Sequence, residues 1–237
     1  MANDDKGRAG HPGGHPGGHS GGHPGGPRMA DVTAPEHEVF HRSYDSEQGA
    51  PWDIGKPQPA MEDAVDRGWI RGRVLDVGCG TGDNALYYAS QGMSVLGVDV
   101  VPAAIEKARA KAEERGLPVV FFVGDLIAPG PVAVSEEKFD TVTDVGFCHA
   151  LSDEARDVWV RRLAGLLAPG GSYVMLCFSD KVPGTFGPRR IAEAELRGSF
   201  TADAGFGELV VEATRLEANA GPGWVDAWRV RAVRAAG

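Results

Sequence analysis

The chain has little cysteine and no long run of apolar residues. Its three cysteines, Cys79, Cys148 and Cys177, lie far apart and form neither a CxxC pair nor a zinc-ligand spacing. A disulfide scaffold and a zinc finger are therefore excluded, and reduced thiols in the cytoplasm are expected. No apolar stretch approaches the roughly 18 residues of a membrane span, and we see no apolar core of a secretory signal at the N-terminus. We therefore expect a cytoplasmic protein that does not bind a membrane.

Positive charge is also scarce. The 24 Lys and Arg residues are outnumbered by 33 Asp and Glu residues, which gives a formal net charge of −9. Because no basic run is present, nucleic acid is not expected as a substrate or partner. The 237 residues, 42% of them hydrophobic, are enough for one α/β domain with a full core.

Residues 1–28 differ in composition from the rest of the chain. Four tetrads, HPGG, HPGG, HSGG and HPGG, begin at His11, His15, His19 and His23. Glycine and proline without apolar side chains cannot form a core, so we predict a disordered tail followed by one domain over 29–237. The tail is either passive, which its composition favours, or a weak site for copper, nickel or zinc. A further interpretation is that translation begins at Met29.

Alternating helical and strand patterns follow the tail and predict an α/β fold. The helical segments are a weakly patterned helix or loop over 35–50 and helices over Pro59–Arg67, Asp83–Gln91, Pro102 to Gly116 and Ser152 to Ala168, the last ended by Pro169-Gly170-Gly171. The predicted strands are Arg73–Val77, Ser94–Val98, Val119–Val123, Phe139–Val145 and Ser172–Phe178, with a hairpin of Glu208–Glu217 and Trp224–Val233. This alternation indicates a mostly parallel sheet with helices on both faces and an antiparallel edge.

The segment from Arg73 to Asp99 is the most informative part of the sequence. A short apolar strand with Asp76 near its end is followed by three glycines at alternate positions, a helix and a second strand ending in Asp99. This is half of a nucleotide-binding sheet, in which glycines let the backbone approach a ligand and the second acid suits ribose hydroxyls. A dinucleotide fingerprint would need a glycine in place of Asp83, and a P-loop would need a Gly-Lys-Ser/Thr ending, which is absent.

The run Asp76-Val77-Gly78-Cys79-Gly80-Thr81-Gly82 resembles the first motif of the class I S-adenosylmethionine (SAM) methyltransferases, an acid followed by x-G-x-G-x-G. The resemblance implies SAM as the cofactor. It also implies a Rossmann-like sheet of seven strands in the order 3-2-1-4-5-7-6, with the last strand antiparallel. The cofactor would then lie in the crevice at the carboxyl ends of strands one and four, where the winding reverses.

The same resemblance assigns cofactor contacts to the ends of four strands. These contacts are Asp76, Gly78, Cys79, Gly80, Gly82, Asp99, Val100, Asp125, Leu126 and Asp144. Asp76 and the glycines would lie under the amino-acid part of SAM, and Asp99 would hold the ribose. Asp125 would accept from the adenine amine while the Leu126 amide donates to the ring. Because a buried acid needs a partner, Asp144 would face the methionine end or orient a neighbour.

A second motif precedes the glycine loop. Residues 51–59 read P-W-D-x-G-x-P-x-P and resemble the opening of the thiopurine, thiol and halide methyltransferase branch. In that branch the tryptophan covers the cofactor near the transferred methyl group, which would be the role of Trp52. The run Gly-Pro-Arg-Arg at 187–190 resembles an actinobacterial subgroup that methylates heterocyclic, quinone-like or N-hydroxy molecules. The likeness covers about residues 45–235 and is looser beyond Asp125.

Five residues are candidates for contact with a substrate: Trp52, Phe147, His149, Arg189 and Arg190. His149 is the only histidine expected in the crevice, so it is the candidate general base, with a packing role as the alternative. The two arginines could attract an anionic nucleophile, or they could be solvated loop residues.

These observations predict an enzyme that transfers a methyl group from SAM to sulfur, oxygen or nitrogen of a small, largely apolar molecule by in-line displacement. Thiols, phenols and N-hydroxy heterocycles are the expected nucleophiles, because they ionise near neutral pH without much help. Two alternatives remain. A very small pocket would favour a halide or simple thiol methyltransferase, and an active His-rich tail would indicate a metal-binding or interaction protein.

Overall fold

The computed structural model describes residues 37–46, 49–128, 137–184 and 187–236. Within these residues one sheet contains seven strands, namely β1 (Arg73–Val77), β2 (Ser94–Asp99), β3 (Val120–Val123), β4 (Phe139–Val145), β5 (Leu167–Phe178), β6 (Phe206–Glu217) and β7 (Trp224–Arg234). Their order is β3-β2-β1-β4-β5-β7-β6. The first five strands pair in parallel, and β7 is antiparallel to both β5 and β6. The predicted Rossmann-like order is confirmed.

Two α-helices precede these strands and four lie between them in the described part of the chain: α1 (Glu38–Asp45), α2 (Pro59–Asp66), α3 (Asp83–Ser90), α4 (Pro102–Arg115), α5 (Asp153–Leu166) and α6 (Glu193–Ser199). The ends of α4 follow the sequence closely. Pro102 occupies the first turn, where no amide partner is needed, and Gly116 ends the helix at φ +61°. None of the described helices is both long and apolar enough to cross a membrane.

The connection between α5 and β5 differs from the prediction. The helix ends at Leu166, and β5 begins at Leu167, five residues before the predicted strand. The fully buried Leu167 pairs with Phe139, and the register shifts between Phe139 and Thr141. Residues 169–171 therefore form an irregular part of the strand rather than a helix stop. Burial of Leu167 in the core outweighs the local preference of Pro-Gly-Gly for a turn.

Helix α6 was not predicted from the sequence. This helix has seven residues and buries only Leu196, so its apolar pattern is too short to show a helical period.

Neighbouring side chains of β1 enter two separate cores. Val74 packs with residues of α2, α3 and α4, whereas Leu75 packs with residues of α5 and α6. Successive strand side chains point to opposite faces of a sheet, so helices cover both faces, as predicted. The chain continues from β1 to β2 on one side of the sheet centre and from β4 to β5 on the other side. A crevice therefore opens between the carboxyl ends of β1 and β4.

Candidate active site

A cavity of about 470 Å³ lies at the carboxyl ends of the first four strands. The loops after β1, β2, β3 and β4 contribute to its walls, together with α1, residues 52–58 and the end of β5. The predicted site residues that line it are Trp52, Asp76, Gly78, Cys79, Gly80, Gly82, Asp99, Val100, Asp125, Leu126, Phe147 and His149. Asp144, Arg189 and Arg190 are absent from this lining.

The glycine loop after β1 needs its glycines for backbone conformation and for space. Gly80 has φ +54°, and a Cβ there would lie 2.5 Å from the Tyr44 hydroxyl oxygen. Gly82 has φ +83°, and its Cβ would lie 2.8 Å from Phe121 Cζ. Both positions combine a left-handed conformation with close neighbours, so a larger residue would be strained and would displace the cavity wall.

Asp99, at the end of β2, holds the glycine loop against the next helix. Its Oδ2 accepts from the Gly80 amide at 2.8 Å, and its Oδ1 accepts from the Val101 amide at 2.9 Å. Burial raises the pKa of this carboxyl, while the amide hydrogen bonds oppose that rise. A carboxylate has about four acceptor positions, so Asp99 keeps capacity for hydroxyl groups on the cavity side.

Asp76, near the end of β1, is a buried acid with one free oxygen. Its Oδ1 accepts from the Thr143 hydroxyl at 2.7 Å, whereas Oδ2 is buried without a hydrogen-bond partner among the described residues. Burial raises the pKa of Asp76 to about 7, and the nearby carboxylates of Asp144 and Asp99 add to the rise. A buried acceptor of this kind is costly unless a ligand satisfies it.

The end of β3 places Asp125 and Leu126 in the cavity wall. Asp125 Oδ1 accepts from the Ile127 amide at 2.7 Å, which fixes the turn after the strand. Its Oδ2 lies 3.3 Å from Nε2 of His37, at the start of α1. The N-terminal segment therefore reaches over this end of the cavity.

Trp52 lies on the cover of the cavity together with α1. Its Nε1 donates to the Tyr44 hydroxyl at 2.9 Å, and its ring meets those of Phe40 and Tyr44 edge to face. The loop that carries Trp52 is anchored to the β6–β7 hairpin, because the backbone carbonyls of Pro51 and Asp53 both accept from Asn219. The cover is therefore held in place by a hairpin more than 160 residues away in sequence.

Asp144 lies behind the cavity rather than in it. The fully buried carboxylate accepts from the amides of Phe147 and Cys148 at 2.8 and 3.0 Å, and from the Tyr173 hydroxyl at 2.5 Å. The structure therefore favours the second interpretation of Asp144, in which it orients a neighbouring residue, over a direct contact with the methionine end of SAM. Three donors hold Asp144 beneath the turn that carries His149.

His149 follows this turn and lines the cavity as a buried residue, 5% exposed. Its Nδ1 accepts from the Phe178 amide at 2.9 Å, and its ring packs edge to face against the Phe178 ring at 4.9 Å. The surrounding wall is apolar and includes Phe147, Leu151 and Pro188.

The two predicted anion-binding arginines are used elsewhere. Arg189 pairs with Glu195 and Asp153, and Arg190 donates to backbone carbonyls of its own loop, including that of Pro188 at 2.9 Å. Neither guanidinium is brought to the cavity. Nearby carboxylates and backbone carbonyls accept hydrogen bonds from the two guanidinium groups. The Gly-Pro-Arg-Arg pattern in the sequence could not show this.

Sequence reasoning missed several residues of the lining. These are His37, Phe40, Tyr44, Asp53, Gln58, Thr81, Asn84 and Phe178. Asp53 had a signal in the P-W-D pattern, and its carboxylate accepts from the Thr81 hydroxyl at 2.9 Å. Tyr44 had none, because only the fold brings α1 over the glycine loop.

The His-rich tail and its histidines His11, His15, His19 and His23 lie outside the described residues. Within the described ranges, no group of three or more His, Cys, Asp or Glu side chains could hold a metal ion.

Comparison with known proteins agrees with this geometry. A family model described as a methyltransferase domain matches residues 74–171. The 2-heptyl-1-hydroxyquinolin-4(1H)-one methyltransferase of Mycobacteroides abscessus is 34% identical over 169 residues, which cover 68% of this chain and 73% of that protein. The probable thiol methyltransferase 2 of Arabidopsis thaliana is 36% identical over 134 residues, covering 56% and 58% of the two chains.

A solved structure, from work on the conversion of a disulfide bond into a thioacetal group during echinomycin biosynthesis, superposes with a TM-score of 0.71. It is 32% identical, and the match covers 84% of this chain and 92% of that one. The chain belongs to the SAM-dependent methyltransferases. Its cofactor is SAM, and the predicted likeness to relatives that act on thiols and hydroxyquinolinones is confirmed.

Proposed function

We propose that the enzyme methylates an acidic oxygen or sulfur of a small, largely apolar molecule, with an N-hydroxy heterocycle or phenol favoured over a simple thiol. The observation that carries this proposal is the contrast between the two ends of the cavity, the glycine loop with its buried acids and the apolar wall around His149. Beyond the glycine loop its wall includes Phe147, Leu151, Phe178 and Pro188, and the imidazole in this part of the wall belongs to the buried, neutral His149. This part of the wall suits an apolar ring system, and its histidine is not a strong base.

The cofactor end has the groups that SAM requires. The free Oδ2 of buried Asp76 suits the ammonium group of the amino-acid part, and the remaining acceptor positions of Asp99 suit the ribose hydroxyls. Asp125 and the Leu126 amide lie where an adenine ring would be expected, at the end of β3. A side chain at Gly80 would meet the Tyr44 hydroxyl, so the glycine loop and its cover keep this arrangement only with glycine there.

When bound, SAM supplies a methyl group on a positively charged sulfur, which is already a strong electrophile. The protein therefore needs to align the nucleophile behind that methyl group and to exclude water. Trp52 and Tyr44 close the cavity from above through their hydrogen bond, while the Phe147 and Phe178 rings form its apolar wall. These four aromatic side chains would contribute most to the positioning of the substrate behind the methyl group.

One observation favours this proposal over the alternatives. The relative from M. abscessus is by its name a hydroxyquinolinone methyltransferase, which supports a hydroxylated ring system as the substrate. The absence of nucleic-acid binding and the cytoplasmic location stay predictions from composition.

The test is a nucleophile panel with SAM, followed by mass detection of S-adenosylhomocysteine and of the methylated product. The panel contains 1-hydroxyquinolin-4(1H)-one, 4-nitrophenol, an alkyl thiol, iodide, an aliphatic alcohol and an aliphatic amine. We expect turnover of the first two, weaker turnover of the thiol and little of the rest. Preference for iodide or for the aliphatic amine would contradict the proposal.

A further inference from the structure

The orientation of the His149 ring is fixed by two contacts with Phe178. Nδ1 accepts from the Phe178 amide at 2.9 Å, and the two rings meet edge to face at 84°. On the opposite side, Nε2 lies 3.1 Å from the place where a Cβ of Gly146 would be. The ring is therefore held tightly over a glycine that leaves room for it.

This geometry determines which nitrogen carries the proton. A backbone amide only donates, so Nδ1 must keep its lone pair and bears no hydrogen. In the neutral ring the hydrogen is then on Nε2. No residue of the described ranges forms a hydrogen bond with Nε2, so this N–H is left for a molecule in the cavity.

Accepting a second proton would be unfavourable for this ring. The proton would have to displace the Phe178 amide from Nδ1, and the resulting charge would be buried. Burial lowers the pKa of His149 to about 3, and none of the described carboxylates lies close enough to counter it. His149 is consequently neutral, with its one lone pair already used, throughout the neutral pH range.

We infer that His149 donates a hydrogen bond from Nε2 to the reacting oxygen or sulfur anion of the substrate, and that it does not remove the proton from that atom. The inference rests on the proposed function, and it makes His149 a residue that determines specificity. An oxyanion or thiolate has three lone pairs and can accept this bond while attacking with another. A neutral amine has a single lone pair and cannot do both, so amines are disfavoured.

The proton balance follows from this assignment. The substrate loses its proton to water before the reaction and is bound as the anion. The anionic heteroatom uses one electron pair to form a bond to the methyl carbon, and the bond from that carbon to sulfur breaks with its electron pair left on sulfur. The products are the methylated, uncharged heteroatom and S-adenosylhomocysteine. The neutral product accepts the His149 bond less strongly, which favours its release.

Two substitutions test the donor role by kinetics with 1-hydroxyquinolin-4(1H)-one and 4-nitrophenol. In His149→Gln the amide can accept from Phe178 and donate into the cavity, yet it cannot act as a base. We expect it to keep kcat within about tenfold, and His149→Leu, which lacks the donor, to lose about 10- to 100-fold. In every variant the acid limb of the kcat/KM profile should follow the pKa of the substrate used. Unfolding temperature and SAM affinity by calorimetry serve as controls for folding.

Histidine labelled with ¹⁵N gives a readout that needs no substrate, with His149→Gln identifying the His149 signals in the full-length protein. We expect the hydrogen on Nε2 and no titration of this ring between pH 5 and 8. A hydrogen on Nδ1, a titration in that range, or a folded His149→Gln variant as inactive as His149→Leu would overturn the inference. Wild-type enzyme that binds SAM but methylates none of the acidic probes would instead overturn the proposed function, and the NMR result would still decide the state of His149.

Discussion

The two ends of the cavity are built in different ways. The cofactor end comes mainly from one continuous segment, 73–99, and it contains the buried carboxyls of Asp76 and Asp99. The substrate end is assembled from the loop after β4, the end of β5 and the cover around Trp52, and its wall is apolar around a neutral histidine. The buried carboxyls lie where the cofactor is proposed to bind, whereas the wall around His149 is apolar and the charged residues of the substrate end, Asp53 and Lys56, belong to the cover loop.

This difference has a physical reason. A cationic cofactor repays the cost of burying carboxylates, and those carboxylates can be supplied by strand ends whose positions the sheet fixes. An apolar substrate with one acidic group needs a cavity of complementary shape from which water is excluded. Such a cavity forms only when several elements of the fold pack together. Substitutions at the cofactor end should therefore change SAM binding, and substitutions at the substrate end should change the choice of nucleophile.

The largest expected effect is at Gly80. In Gly80→Val the side chain would meet the Tyr44 hydroxyl and fill the approach to the loop, so we expect SAM affinity to fall roughly 100-fold or more, measured by calorimetry. Gly116→Val is the matched control, because Gly116 has a similar φ of +61° with nothing within 4 Å of its Cβ position. It should lower the unfolding temperature and leave the affinity unchanged. Equal loss of affinity in both variants would contradict the assignment of the loop.

A smaller effect is expected at Asp99. Asp99→Ala removes the carboxylate that holds Gly80 and that we assign to the ribose, so SAM affinity should weaken by about 1–3 kcal/mol, or about 5- to 150-fold. Asp140→Ala is the control, since the Asp140 carboxylate also accepts a backbone amide, that of Arg73, at the opposite end of the sheet. Unchanged affinity in folded Asp99→Ala protein would exclude Asp99 from the cofactor site.

Binding of SAM should also depend on pH through Asp76, whose pKa is about 7. A cation favours the ionised carboxylate, so below pH 7 the proton must leave before SAM binds. Affinity should therefore fall about tenfold for each pH unit below 7 and level off above it. Asp76→Asn should remove this dependence between pH 6 and 8. A slope of the opposite sign in the wild type would show that Asp76 does not face the cationic group.

The smallest effect is expected from the tail. Deletion of residues 1–28 should leave kcat within about twofold, because a Gly/Pro/His segment has no apolar surface with which to complete either end of the cavity. Nickel binding, measured by calorimetry on both proteins, should disappear with the tail if the His tetrads are a metal site. A large fall in kcat after deletion would instead give the tail a part in the active site.

The sequence predicted the fold well where local patterns and core burial agree. The bounds of β1 and β4 were predicted to the residue, and α4 was predicted from its first proline to its terminal glycine. The prediction was wrong at the start of β5, where burial of Leu167 outweighs the turn preference of Pro-Gly-Gly. It also missed α6, which is too short to show a helical period.

The sequence by itself determined the cofactor end, because residues 73–99 contain the strands, the glycine loop and both acids within one βαβ unit. The tertiary structure alone decided that Arg189 pairs with acids and Arg190 with backbone carbonyls away from the cavity. It further decided that Asp144 supports the turn before His149 and that α1 covers the glycine loop. It also decided that the Phe178 amide binds Nδ1 of His149. These arrangements depend on contacts between segments far apart in the chain. Whether a polar side chain faces a ligand or a neighbour is set by those contacts rather than by its residue type.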